Sequence, residues 1–246
     1  MKNVLLLKTR TVPTDPYHDI LSKHNIAHHF IPLLTHKHLP DECVKKFQQD
    51  HESIDYLIIT SQRAVEALQQ SILTELDSEV VEYLFSRPIF TVGPATAVFL
   101  QNVGFTNIKG GNEAGNGSIL ADIISNEEDG AYKNKTGLFL VGEIRKDVIP
   151  RKLIPAGFNL TELVVYTTTS MDNIAERYFA CLKPDCNNIV VFFSPQGTEE
   201  IVKSIGNDLS VLCIGPTTEE YLLSKNIKVD GVCEKPSAEA LLKLLI

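Results

Sequence analysis

At 246 residues and a formal net charge of −8, the chain exceeds the usual single domain and is too acidic for an extended nucleic-acid surface, which needs clustered Lys and Arg. Hydrophobic residues, at 43%, supply apolar mass for two cores, yet no apolar run nears the roughly 18 residues of a spanning helix, so no membrane partner is expected. Five cysteines without a Cys-x-x-Cys pair argue for reduced core thiols in a cytoplasmic protein rather than a disulfide framework.

The chain opens on an apolar strand, Val4-Leu5-Leu6-Leu7-Lys8, too short for a secretory signal. A polar turn, a helix over 17–24 and a strand over 28–34 follow, then a helix over 40–49. Tyr56-Leu57-Ile58-Ile59-Thr60-Ser61 has the continuous apolar run of a strand covered on both faces and leads into a helix over 64–72. Thr91-Val92-Gly93-Pro94-Ala95-Thr96 closes another strand and begins a helix, and Gly115-Asn116-Gly117-Ser118 opens one more. The series then restarts: strand 138–141, helix 148–155, strand 163–168 and helix 172–182. Ile189-Val190-Val191-Phe192-Phe193-Ser194 runs into a helix over 198–204, and Cys213-Ile214-Gly215-Pro216-Thr217-Thr218 repeats the earlier strand-to-helix turn. Gly93-Pro94 falls on Gly215-Pro216, 122 residues on, and the same spacing sets Ile119, Leu120 and Ile123 on Leu241, Leu242 and Leu245.

Alternating strands and helices with short turns imply parallel sheets with right-handed crossovers. Each copy supplies about five strands, so the expected fold class is α/β, with two similar flavodoxin-like parallel-sheet domains. The repeat alone allows either tandem domains or an interleaved pair. In the second case the chain crosses near 31–38 and 163–170, and the β-branched content of Val164-Val165-Tyr166-Thr167-Thr168-Thr169 suits a two-stranded β-ladder hinge.

Ligands of parallel α/β sheets bind beyond the carboxyl ends of the strands, where helix N-termini present unpaired N–H groups to anions. Four such turns stand out: Thr60-Ser61-Gln62-Arg63, Gly93-Pro94-Ala95-Thr96, Ser194-Pro195-Gln196-Gly197 and Gly215-Pro216-Thr217-Thr218. Gly117 and Ser118 add N–H groups, while Lys8, Arg10, Arg145 and Lys146 are the cationic candidates after the first strand of each copy. The same Ser and Thr residues would serve equally as plain N-caps. No G-x-S-x-G, phosphate-loop or dinucleotide fingerprint occurs, and His28-His29 and His36-x-His38 lack further ligands, so no metal is expected and the histidines should be mostly exposed. Tyr166 is the one ionisable residue of the second crossover strand.

Together these motifs resemble the uroporphyrinogen-III synthase family over the whole chain. The resemblance rests on Val4-Leu5-Leu6-Leu7-Lys8, Thr60-Ser61-Gln62-Arg63-Ala64-Val65-Glu66-Ala67, Val92-Gly93-Pro94-Ala95-Thr96-Ala97, Val164-Val165-Tyr166-Thr167, Phe192-Phe193-Ser194-Pro195-Gln196-Gly197 and Ile214-Gly215-Pro216-Thr217-Thr218. The pattern is closest to eukaryotic, fungal members. It departs from the family at Gln62, where many members have Pro, and at Glu143-Ile144-Arg145-Lys146, where an acid comes early.

The resemblance implies the interleaved partition, residues 1–35 and 170–246 against 38–166. It implies cyclisation of hydroxymethylbilane, with loss of water and inversion of the last pyrrole ring, in a monomer that uses no cofactor. It further implies Tyr166 as general acid, and Ser61, Thr96, Ser194, Thr217 and Thr218 as cleft positions that bind or orient substrate; the strand-end turns and cations add Thr60, Arg63, Gly117, Ser118, Arg145, Lys146, Gln196, Gly197 and Pro216 as substrate-binding candidates. A non-catalytic two-domain binder of an anionic metabolite is the competing expectation.

Overall fold

Successive residues of the first strand point to opposite sides. Val4 and Leu6 pack with Tyr17, Leu21 and Leu241, whereas Leu5 and Leu7 pack with Ile174, Tyr178 and Leu222. All four are buried, so this strand needs a helical layer on each face.

The computed structural model describes residues 1–206 and 209–246. Along the first half run β1 (Lys2–Leu7), α1 (Pro16–Lys23), β2 (Ala27–Phe30), β3 (Leu34–His38), α2 (Asp41–Asp50), β4 (Tyr56–Ile59), α3 (Gln62–Ala67), α4 (Ser78–Ser86), β5 (Ile89–Val92), α5 (Pro94–Val103), β6 (Ile108–Gly111) and α6 (Gly117–Asn126). The second half adds β7 (Thr136–Gly142), α7 (Val148–Leu153), β8 (Asn159–Ser170), α8 (Ile174–Cys181), β9 (Asn187–Phe192), α9 (Glu199–Ser204), β10 (Ser210–Cys213), α10 (Pro216–Ser224), β11 (Gly231–Val232) and α11 (Ala238–Leu245).

These elements form two units, Met1–Thr35 with Thr169–Ile246, and His36–Thr168. The first contains a parallel sheet of order β11-β10-β9-β1-β2. The second contains a sheet of order β3-β8-β7-β4-β5-β6, parallel from β8 to β6. Leaving aside the edge strand β3, both orders are the flavodoxin-like 2-1-3-4-5. In the second unit it is permuted, because strands β4 to β6 precede β7 and β8 in the chain. Each unit therefore takes two strands from one copy of the repeat and three from the other. The chain passes between units inside β3 and inside β8, which are neighbours in the six-stranded sheet.

Each sheet separates two cores. In the second unit, Leu57, Ile59, Leu138 and Leu140 face Phe47, Leu68, Leu84 and Leu100. On the other face, Ile58, Phe90, Phe139 and Val141 meet Leu120, Ile124, Ile149 and Leu153.

The structure departs from the sequence reading in four places. The strand expected over 28–34 ends at Phe30, and a separate strand of the other sheet begins at Leu34, because Pro32 has no N–H to donate and Ile31 and Leu33 turn into the core. Helix α4, anchored by buried Val80 and Leu84, falls where no element was expected, and the expected helix over 64–72 changes at Leu68 into a π turn. The fourth departure concerns the repeat. Gly93 and Gly215, which precede α5 and α10, keep the spacing of 122, but the N-caps of α6 and α11 are Asn116 and Ser237, 121 apart. Their buried faces follow: Leu120 and Ile124 correspond to Leu241 and Leu245, while Ile119 is exposed.

The turn after β1 is built around a buried carboxylate. Asp15 N-caps α1, accepting from the N–H groups of Tyr17 (3.0 Å) and His18 (3.4 Å), while Thr11 N–H donates to its second oxygen (2.9 Å). The Lys8 ammonium pairs with that oxygen inside a box formed by the Tyr17, Phe30 and Phe193 rings. Burial opposes ionisation of Asp15, yet Lys8 and the N–H groups of Thr11 and His18 together hold its pKa at about 2, against 3.8 ordinarily. A depressed carboxylate stabilises the fold above its ordinary pKa and loses that contribution as pH falls toward the depressed value. Asp15→Asn is therefore expected to lower unfolding free energy by about 2 kcal/mol at neutral pH. In denaturant titrations the gap between variant and parent should close between pH of about 4 and 2; a gap independent of pH would contradict this assignment.

Candidate active site

In a 2-1-3-4-5 sheet the strand order reverses between strands 1 and 3, and the loops there part to leave a crevice. In the second unit those strands are β7 and β4. A cavity of about 390 Å³ opens beyond their carboxyl ends, with Val92, Val141, Val148 and Ile149 as apolar wall and Thr60, Ser61, Asn116, Gly117, Ser118, Arg145, Lys146 and Tyr166 as polar margin. Seven of the residues singled out in the sequence thus meet in one pocket: Thr60, Ser61, Gly117, Ser118, Arg145, Lys146 and Tyr166.

Ser61 is the N-cap of α3, its Oγ accepting from Arg63 N–H at 3.2 Å. The same Oγ lies 3.1 Å from the Tyr166 hydroxyl. The phenol reaches it because of an irregularity in β8. Val141 pairs with Val164 but Gly142 pairs with Tyr166, so Val165 is an extra residue and the strand bulges. By simple alternation Tyr166 would share the face of Val164; instead it packs on the same core as Val165. Its ring then covers Gly142, where an added Cβ would lie 2.5 Å from Tyr166 Cζ and 2.7 Å from its hydroxyl.

The cations divide. The Arg145 Nε donates to Glu162 at 2.9 Å, and this bond raises its pKa further, so the guanidinium is fixed and partly neutralised at the pocket rim. Lys146 is exposed beside it. Asn116 caps α6 by accepting from Ser118 (2.9 Å) and Ile119 (3.1 Å), and the helix N-terminus faces the cavity.

Other expected positions fall elsewhere. Arg63 folds back on Glu66, with both carboxylate oxygens within 2.8 Å of one guanidinium nitrogen, and does not line the cavity. Thr96 is buried on the inner face of α5. The turn 194–197 is not a helix start: α9 begins at Glu199, after the Thr198 hydroxyl closes the turn by donating to Pro195 O at 2.6 Å. Ser194 and Gln196 are exposed there, but Gly197 is buried at a φ of 77°, and a Cβ on it would lie 2.7 Å from Leu34. Gly197 is a packing residue. Pro216, Thr217 and Thr218 border a second hollow of about 310 Å³ in the first unit, beyond β10 and β11; Thr217 is exposed whereas Thr218, 4% exposed, turns inward. Lys8, occupied by Asp15, is not available to a ligand. A larger hollow of about 560 Å³ lies at the amino ends of β10 and β11, on the opposite side from the carboxyl ends at which such sheets bind ligands.

Gly142 was missed, and Asn116 was named only as part of a helix-opening segment, not singled out. Asn116 was legible as an Asn just before a helix; Gly142 matters only through the cross-strand register. The histidines are also less exposed than expected: only His24 is, and the other six are half-buried. Cys43, Cys213 and Cys233 are buried, and burial pushes the Cys213 thiol up to about 11, which disfavours a thiolate.

Residues 15–243 match a family described as uroporphyrinogen-III synthase HemD. Uroporphyrinogen-III synthase of Saccharomyces cerevisiae is 41% identical over 97% of this chain and 94% of its own, and that of Schizosaccharomyces pombe is 34% identical over 100% and 97%. The crystal structure of uroporphyrinogen-III synthetase from Helicobacter pylori shares the fold, with a TM-score of 0.61 at 22% identity over 100% of this chain and 98% of its own. The repeat, its strand-end turns and these full-length matches agree, and the chain belongs to the uroporphyrinogen-III synthase family.

Proposed function

We propose that this chain closes hydroxymethylbilane into uroporphyrinogen III, losing water and inverting the last pyrrole ring, with Tyr166 as the acid that assists departure of the hydroxyl. The observation that carries the role of Tyr166 is its phenol at 3.1 Å from Ser61, at the wall of a partly apolar cavity beyond the strand ends.

The chemistry needs little more. When the C–O bond of the hydroxymethyl group breaks, its electron pair leaves with oxygen. A proton from Tyr166 turns that oxygen into water, while the adjacent pyrrole nitrogen supplies electrons to the carbon. The Ser61 hydroxyl can rotate to donate to the phenolate that remains. The substituted α-carbon of the last ring then bonds the carbon that lost the hydroxyl, and its bond to the methylene of the preceding ring breaks with help from that ring's nitrogen. The freed methylene bonds the last ring's other α-carbon, whose shed proton restores the phenol. The protein's remaining task is to hold the flexible bilane so that the inverting closure outruns the spontaneous one. Lys146, the Arg145 guanidinium and the N-terminus of α6 at Gly117 and Ser118 meet its carboxylates. In the first unit, Thr217 and its neighbours Pro216 and Thr218 offer a second anion-binding helix start. Five cysteines without a disulfide and the charge of −8 favour a cytoplasmic protein without nucleic-acid partners, and we take it to act as a monomer without a cofactor.

Purified protein incubated with hydroxymethylbilane should yield the type III isomer after oxidation and chromatographic separation. Only the uninverted type I isomer, formed at the spontaneous rate, would reduce the chain to a binding protein. Tyr166→Phe should lower turnover at least about tenfold, or ~1.4 kcal/mol of barrier; unchanged kinetics would leave Tyr166 a packing residue. Gly142→Ala should lower turnover comparably, because its Cβ displaces the phenol from Ser61, and an Ala variant as fast as the parent would show that the ring needs no such seat.

A further inference from the structure

His36 lies on β3, half-buried, next to the phenol. Its ring meets the Tyr166 ring edge to face, with centroids 5.9 Å apart and planes at 81°. Its Nδ1 stands 3.1 Å from the Thr168 hydroxyl. One hydrogen bond therefore fixes the plane of the imidazole whose contact limits the swing of the phenol. The charged and titratable groups around it are Arg63 and Glu66 from α3 and His38 on its own strand. Burial first, then the Arg63 charge, lowers the His36 pKa, so the ring packs uncharged at neutral pH.

The Tyr166 ring is thus limited by Gly142 beneath it, Ser61 at its hydroxyl and His36 against the ring. We propose that His36 is a positioning residue: anchored to Thr168, it holds the Tyr166 ring in the one rotamer that keeps the hydroxyl at Ser61. His36 transfers no proton and touches no substrate; it raises the fraction of enzyme whose acid is in place when the bilane binds. This rests on the reading of Tyr166 as the acid.

The test compares His36→Leu, which keeps volume but removes the aromatic edge, with His36→Phe, which keeps the edge. Leucine should lower kcat about fivefold with KM changed less than about twofold, and phenylalanine, which keeps the ring edge but loses the bond to Thr168, should restore part of that loss. In the Tyr166→Phe background, His36→Leu should cost nothing further, since the hydroxyl it positions is gone. Equal kcat for the Leu and Phe variants, a loss confined to KM, or a full additional loss in the Tyr166→Phe background would each overturn the proposal. If Tyr166→Phe is slow while His36→Leu is not, the positioning role fails alone. If Tyr166→Phe is as fast as the parent, the acid assignment fails and takes this proposal with it.

Discussion

One extra residue in β8 decides where the Tyr166 phenol points. Val165 is set into the core and Tyr166 turns to the same face instead of the opposite one. The bulge alone would drive the ring into β7, and only the missing side chain at Gly142 leaves room for it. Ser61, held at the start of α3 by its own capping bond, then receives the hydroxyl. Bulge and glycine come from consecutive strands, and the cap from a helix start about 80 residues earlier in the chain. The seat of the phenol needs all three.

The same topological position has been used differently in the two units. Both sheets reverse order between their strands 1 and 3, which are β7 and β4 in one unit and β1 and β9 in the other. After β7 and β4 the loops leave an open pocket with an apolar wall. After β1 the corresponding turn folds inward on Asp15, and Lys8 is spent on that carboxylate among three aromatic rings. A cation that is paired and boxed in this way stabilises its own turn and has no charge left over for a ligand.

The repeat was legible because buried parallel strands must be continuously apolar and the turns after them must end in small or capping residues. Those constraints survive in Tyr56-Leu57-Ile58-Ile59 and Ile189-Val190-Val191-Phe192, and in the two Gly-Pro turns. They are silent on register. The slip from 122 to 121 between α5 and α6 and their counterparts could be seen only once the buried faces were known, because both spacings align apolar residues with apolar residues. The turn 194–197 shows the same limit: Ser-Pro-Gln-Gly has the composition of a helix start, yet the helix waits for Thr198 because Gly197 packs on Leu34.

Local chemistry in the sequence was enough to determine two α/β copies, most of their strands and helices, and the residue types at the strand ends, since these depend on contacts a few residues long. Whether a given side chain reaches the pocket is a matter of long-range register and packing. Arg63 was taken by Glu66, Thr96 and Gly197 by the core, and Lys8 by Asp15. Tyr166 could be named from the chain, but its place beside Ser61 came from a bulge, a glycine on the next strand and a histidine on another, contacts that exist only after the sheet has formed.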